Sequence, residues 1–194
     1  MYIRITSRCN MSCEHCCYSC TEKGEDMSLD VFRAALEMDE NISIGGGEPT
    51  LHPLFWQMIG ESIANCEYVW LATNGSQTNT SLALAKMAQK YVIGCELSQD
   101  DYHDRIDQDV IDAFTNMDDG RGIRNVTARE INAGRCDFGS DEGCVCQDLI
   151  VEPDGTIKAC GCEDAPTFGT VFDTEIPEDW EIGECHKEQG ALIS

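Results

Sequence analysis

The 194-residue sequence predicts an α/β fold: a partial parallel (β/α) barrel of about five to six units with a small cysteine-rich β-hairpin extension. Three observations predict it. Short β-rich runs alternate with segments of helical spacing, the first four strands each end in a loop of unusual composition, and the rhythm changes after Arg135. A complete eight-stranded barrel takes about 250 residues, so the barrel is partial. The chain divides into a core over 1–135 and an extension over 136–194.

The elements follow in order. YIRI at 2–5 is a short strand, and after a cysteine-filled loop Leu29, Phe32 and Leu36 recur at helical spacing over 28–39, with Ser28 as N-cap. NISI at 41–44 is the second strand. A helix over 53–65 turns Phe55, Met58, Ile59 and Ile63 inward, and Pro53 suits its first turn. A strand over 68–72, a helix over 81–89, a strand over 91–97, a helix over 106–117 and a strand over 125–131 complete the core. Strands and helices in this alternation imply right-handed crossovers and a parallel sheet. Beyond Arg135, 148–152 and 156–160 flank Pro153-Asp154-Gly155 and read as a β-hairpin.

Composition excludes several functions. Thirteen Lys and Arg against 36 Asp and Glu give a formal charge of -23, which repels phosphate backbones and anionic headgroups, so neither nucleic acid nor membrane is an expected partner. Fifteen acids follow Arg135 against only Lys158 and Lys187, a charge whose plain reading is a solvated surface. The opening MYIRITSRCN lacks a long apolar run and a cleavage site, which predicts no secretory signal and a cytoplasmic protein. Cytosolic thiols are kept reduced, so the thirteen cysteines point to metal rather than to disulfides. They group as Cys9, Cys13, Cys16, Cys17 and Cys20, then Cys136, Cys144, Cys146, Cys160, Cys162 and Cys185. Cys66 and Cys95 stand alone between the groups and read as small buried hydrophobes.

The strand-end loops are TSRCNMSC, GGGEPT, TNGS and SQDDYHD, and in parallel β/α folds ligands bind at the carboxyl ends of strands, so the four should converge. Cys9, Cys13 and Cys16 have the spacing C-x3-C-x2-C, which aims three thiolates at three irons of one 4Fe-4S cubane. Structural zinc would want four ligands, and no histidine at finger spacing follows. Adding Cys20 as a fourth ligand would close the cluster and make the chain an electron carrier. Gly45-Gly46-Gly47-Glu48 offers free backbone approach and a carboxylate suited to a ligand's ammonium group.

C-x3-C-x2-C, G-G-E, T-N-G and S-x-D, in this order at successive strand ends, resemble the radical S-adenosylmethionine (SAM) superfamily over residues 1 to 135. The resemblance implies that Cys9, Cys13 and Cys16 hold a 4Fe-4S cluster whose fourth iron binds SAM, with Cys20 a spare. It implies that His15 lies near the adenine, that Gly46, Gly47 and Glu48 hold the methionine amino group, and that Asn74, Ser98 and Asp100 line the ribose or methionyl side. The chemistry implied is reductive cleavage of SAM to a 5'-deoxyadenosyl radical that takes hydrogen from a substrate, with the cofactor carrying the hard step. Tyr102 and His103 are candidates for a general base, beside the plainer reading of surface loop residues.

The tail resembles the SPASM and twitch extensions, through Cys144, Gly155 and Cys160 and through Phe168-Gly169-Thr170-Val171. Cys144 or Cys146 with Cys160, Cys162 and Cys185 would complete one second cluster, Cys136 is an unplaced substitute, and zinc is the alternative. Such extensions accompany oxidation or cross-linking of a peptide or amino-acid-derived substrate, with a flavodoxin or ferredoxin as electron donor. A nucleoside or sugar substrate and a non-catalytic iron-sulfur protein are the other readings.

Overall fold

Residues 1–117, 122–124, 134–136, 148–161 and 165–176 are described by the structure, a computed structural model. The core runs β1 (Tyr2–Thr6), α1 (Leu29–Leu36), β2 (Asn41–Gly46), α2 (Phe55–Asn65), β3 (Tyr68–Thr73), α3 (Thr78–Gln89), β4 (Gly94–Ser98), α4 (Gln108–Thr115) and β5 (Ile123–Arg124). The tail adds β6 (Ile150–Val151), β7 (Thr156–Lys158) and β8 (Thr167–Thr170). Together they make one eight-stranded sheet in the order β5-β4-β3-β2-β1-β6-β7-β8, open among the described residues. β1 to β5 are parallel, as the alternation predicts. The strand expected over 125–131 lies outside the described residues; β5 just precedes it.

Strand alternation sorts the side chains. Ile3, Ile5, Ile42, Ile44, Val69, Leu71, Cys95 and Leu97 share a core with Phe32 of α1, Met58 and Ile59 of α2, Leu84 of α3 and Phe114 of α4. Register keeps them in rows, with Ile44 opposite Leu71 and Leu71 opposite Cys95. Burying one such large side chain contributes about 1.5–3 kcal/mol, well above the exposed Arg33–Glu61 pair that also joins α1 to α2. Cys95 is buried in this layer, as expected of a lone cysteine, whereas Cys66 is only half-buried and packs at its edge. Ser28 caps α1 as the sequence indicates, its hydroxyl accepting from Val31 N–H.

The tail hairpin forms where PDG predicts. Gly155 adopts φ 89°, and Asp154 Oδ1 accepts from Thr156 N–H at 2.9 Å. Its placement is new information: β6 pairs in parallel with β1, Tyr2 opposite Ile150, and β7 and β8 follow antiparallel. The tail thus extends the core sheet on the side of β1 away from β2.

Arg4 fastens that junction. Its Nη1 donates to Glu152 Oε2 at 2.6 Å, its Nη2 lies 3.8 Å from Cys20 Sγ, and its guanidinium carbon sits 4.3 Å from the centre of the Tyr18 ring. Burial alone would lower the Arg4 pKa, but Glu152, then Cys20, Tyr2 and Tyr18, hold it above its ordinary value. Removing one partner of a mostly buried pair strands the other charge. Glu152→Ala should therefore destabilise the fold by about 3 kcal/mol, read as a lower denaturant midpoint, whereas Glu61→Ala on the exposed pair should leave the midpoint nearly unchanged.

Candidate metal and cofactor site

The loop after β1 closes on itself at its neck. Thr6 Oγ1 and the Arg8 guanidinium both bond Asp26, Ser7 N–H donates to Glu25 O, and Cys9 N–H donates to Thr21 O at 2.7 Å. Burial pushes the Asp26 carboxyl up, but the hydrogen bonds from Arg8 and Thr6 outweigh it and hold the pKa below the usual value. The thiols occupy the tip of this closed loop.

Cys9, Cys13 and Cys16 are half-buried, and Cys20 is buried. Burial first, then the charges of Cys9, Cys16 and Asp100, raise the Cys13 pKa to about 11. Burial likewise raises Cys9, against the Met11 N–H that donates to its sulfur at 3.4 Å. Cys16 is lowered, chiefly by a hydrogen bond with the Cys20 thiol, and Cys20 is correspondingly raised. Thiols that oppose one another's ionisation suit a cationic metal core, which relieves that repulsion. Four sulfurs around one zinc, each about 2.3 Å from it, lie about 3.8 Å apart. Among the described residues no three cysteine sulfurs lie within 4.8 Å of one another. As they stand, these sulfurs are not gathered as ligands of one small ion, and three thiols on one loop are the donor type iron-sulfur clusters use.

The glycine run explains how the second loop reaches this tip. Gly47 N–H donates to Thr6 O and Glu48 N–H to Arg8 O, both within 2.9 Å. A Cβ at Gly46, where φ is 141°, would meet Thr6 O at 2.0 Å, and one at Gly47 would meet Arg8 O at 2.1 Å. Only glycine lets β2 end this close to the cysteine loop.

Glu48 is only 1% exposed, and its carboxylate faces inward. Oε1 accepts from Thr50 N–H, Thr50 Oγ1 and Thr73 Oγ1, and Oε2 accepts from Asn74 N–H at 2.7 Å. Burial raises its pKa against these bonds. Asn74 in turn donates to Asn10 Oδ1 at 3.1 Å and reaches Cys9 Sγ at 3.9 Å. Ser98 ends β4, half-buried. Asp100 turns away from open solvent to His15 and His103, with His15 Nε2 3.4 Å and His103 Nδ1 2.6 Å from its oxygens. The His103 side chain is 8% exposed, so it is no surface loop residue. The four loops converge as the strand-end rule predicts.

Two arginines escape motif reading. Besides Arg4, Arg135 donates to Cys13 O at 3.0 Å and to Cys20 O, and its N–H donates to Cys16 O at 2.9 Å. Gly134 precedes it with φ 59°, and a Cβ there would meet Cys17 O at 2.3 Å. The only signal for this clamp is the Gly134-Arg135 dipeptide at the end of the core. Of the tail cysteines, Cys160 and Cys136 are buried, whereas Cys144, Cys146, Cys162 and Cys185 lie outside the described residues.

No family model matches the chain. It is 31% identical over 103 residues to a protein named mycofactocin maturase MftC of Mycobacterium ulcerans, covering 50% of this chain and 27% of that one. It is 39% identical over 84 residues to a Pyrococcus furiosus protein named tungsten-containing aldehyde ferredoxin oxidoreductase cofactor-modifying protein, covering 39% and 24%. The chain thus spans about a quarter of the length of these curated relatives. The solved structure titled "Native anSMEcpe with bound AdoMet" superposes with a TM-score of 0.58 at 16% identity, covering 89% of this chain and 78% of that one, a likeness of fold. The parallel β/α sheet, open among the described residues, carries the C-x3-C-x2-C loop after β1 packed against G-G-E after β2, the pattern expected of a SAM-binding iron-sulfur protein. These likenesses agree with the resemblance of the chain to the radical SAM superfamily. A 4Fe-4S cluster and SAM are the cofactors the resemblance implies, and Cys9, Cys13 and Cys16 are the residues that would hold the cluster.

Replacing Cys9, Cys13 or Cys16 singly by Ala should remove most of the iron retained after anaerobic reconstitution, while Cys17→Ala retains it; iron assay and the visible spectrum report both. Arg135→Met, which frees the Cys13 and Cys20 carbonyls while the backbone N–H keeps Cys16 O, should lower retained iron at least twofold, with Arg33→Met as an unaffected control. Glu48→Gln introduces a donor among four donors and should cost about 1.5–3 kcal/mol, seen as a lower thermal midpoint; an unchanged midpoint would show that the buried carboxylate is dispensable to the fold.

Proposed function

We propose that the chain is a radical SAM enzyme acting on a peptide or amino-acid-derived substrate, with 1–135 as its catalytic core and 136–194 as a SPASM- or twitch-like extension. The observation that carries it is the thiol triad. Three cysteines at the tip of a closed loop, beside the glycine run, leave one iron of a cubane for SAM, while Cys20 is engaged by Arg4 and Cys16. This arrangement favours an open cluster over a four-cysteine electron carrier.

When bound, the cluster supplies the electron that cleaves SAM to a 5'-deoxyadenosyl radical able to take hydrogen from an unactivated carbon. The chain's own residues shape the site. Gly46 and Gly47 bring backbone polar groups to the methionine end, Glu48 and Asn74 hold the second and third loops together, and Ser98 stands at the ribose side. The Glu48 carboxylate is so fully bonded within the protein that the backbone of its loop, rather than its charge, is the natural partner of the amino group. The names of the relatives, a maturase and a cofactor-modifying protein, support a substrate that is itself a precursor awaiting modification. A flavodoxin or ferredoxin is the electron donor this reading implies, and a reducing cytoplasm suits its thirteen cysteines. No helix among the described residues is long and apolar enough to cross a membrane.

Anaerobically reconstituted protein with SAM and dithionite should release 5'-deoxyadenosine, faster with its peptide substrate present. Cys13→Ala should abolish release and Cys20→Ala should preserve it. Release lost in Cys20→Ala together with a closed four-thiolate cluster would replace this proposal by the electron-transfer reading.

A further inference from the structure

Asp100 is the most buried ionisable side chain of the fourth loop, 2% exposed, and it stands between two imidazoles. Its Oδ1 accepts from Tyr102 N–H at 2.9 Å and faces His103 Nδ1 at 2.6 Å. Its Oδ2 makes no hydrogen bond, is sealed from solvent, and lies 3.4 Å from His15 Nε2. His15 belongs to the cysteine loop, one residue before Cys16, and its ring is also flanked by Tyr102 at 4.9 Å and by the His103 ring, edge-on, at 5.3 Å. A contact therefore runs from the end of β4 to the tip of the cluster loop.

Oδ1 only accepts, so the His103 Nδ1 that faces it at 2.6 Å carries the proton, and this bond orients the His103 ring. His15 Nε2 stands 3.4 Å from the other oxygen. The terminal torsion of a histidine is otherwise broad and roughly two-fold, and His15 sits on a loop rather than in a helix or strand. With Asp100 on one nitrogen and two rings against its sides, the plane of His15 is set by groups contributed by another loop.

We propose that Asp100 and His103 are positioning residues that orient His15 at the nucleoside end of the SAM site. This rests on the SAM reading above, in which His15 lies near the adenine, and it reassigns Asp100: the carboxylate acts through His15 and not by touching the cofactor. The same three side chains have ligand atoms within 4.8 Å of one another, so a divalent metal ion is the rival occupant that an experiment must distinguish.

The test uses cluster-loaded protein under anaerobic conditions, with 5'-methylthioadenosine and methionine as separate competitors of labelled SAM. The bracket predicts that His103→Ala and Asp100→Asn weaken 5'-methylthioadenosine on the order of tenfold, the scale of losing one immobilised side chain, and leave methionine within twofold. Iron content and thermal midpoint should match wild type, and His103→Asn, which keeps an N–H near the Nδ1 position, should restore most of the loss. Equal weakening of both competitors, or loss of iron, would assign a merely structural role and overturn the proposal. So would unchanged affinities in variants of a wild type that binds SAM. A zinc or other divalent ion present at one per chain in wild type, bound by nitrogen and oxygen alone in its X-ray absorption spectrum and absent from Asp100→Asn, would make this a metal site instead. A cluster-loaded wild type that binds no SAM would sink the SAM reading itself.

Discussion

The buried carboxylate of Glu48 is the joint on which the site depends. It sits in a place water does not reach, where burial raises its pKa, and it is tolerated there because two N–H groups and two hydroxyls converge on it. Those donors belong to its own loop and to the end of β3, while the Glu48 backbone N–H reaches the cysteine loop. Three loops are thereby locked to each other at the carboxyl edge of the sheet. A charge-assisted network of this kind is stiff because any slippage leaves a buried acceptor short of donors.

The cysteine loop has the opposite problem. It holds thiols whose charges repel, and it has no strand or helix of its own at the tip. Its rigidity is borrowed: Asp26 closes the neck, Arg135 gathers the carbonyls of Cys13, Cys16 and Cys20, and Arg4 stands below Cys20 and Tyr18. Both arginines bring positive charge to a region whose thiolates lack it, in a chain of formal charge -23 where cations are scarce. Arginine suits the task because its planar fork holds several acceptors at once and it does not deprotonate.

The tail hairpin joins this arrangement rather than standing apart. Through β6 it lies beside β1, through Glu152 it neutralises Arg4, and a Cβ at Gly161 would meet the Tyr18 hydroxyl at 2.7 Å. Among the described residues this acidic segment is thus held by a neighbour's backbone ladder, by the Arg4–Glu152 pair and by Leu149, Val151, Ile157 and Phe168, which are buried in the common core. Cluster loop and hairpin share Arg4, so a disturbance of either is felt by the other.

The sequence by itself determined the β/α alternation, the ends of most elements to within a few residues, the PDG turn and the four loops that meet. All of these are local patterns: hydrophobic period, turn residues and motif spacing act over fewer than about 15 residues, and Cys9, Cys13, Cys16 and the glycine run were legible for that reason. Only the tertiary structure decided which side of β1 receives the tail, that Glu48 points inward, that Arg4 and Arg135 hold the cysteine loop, and that Asp100 faces two histidines. Arg4 and Glu152 are 148 residues apart and Arg135 and Cys13 are 122 apart. No local period encodes such a pairing, because a hydrogen bond between distant residues exists only once the sheet has brought their strands and loops to the same edge.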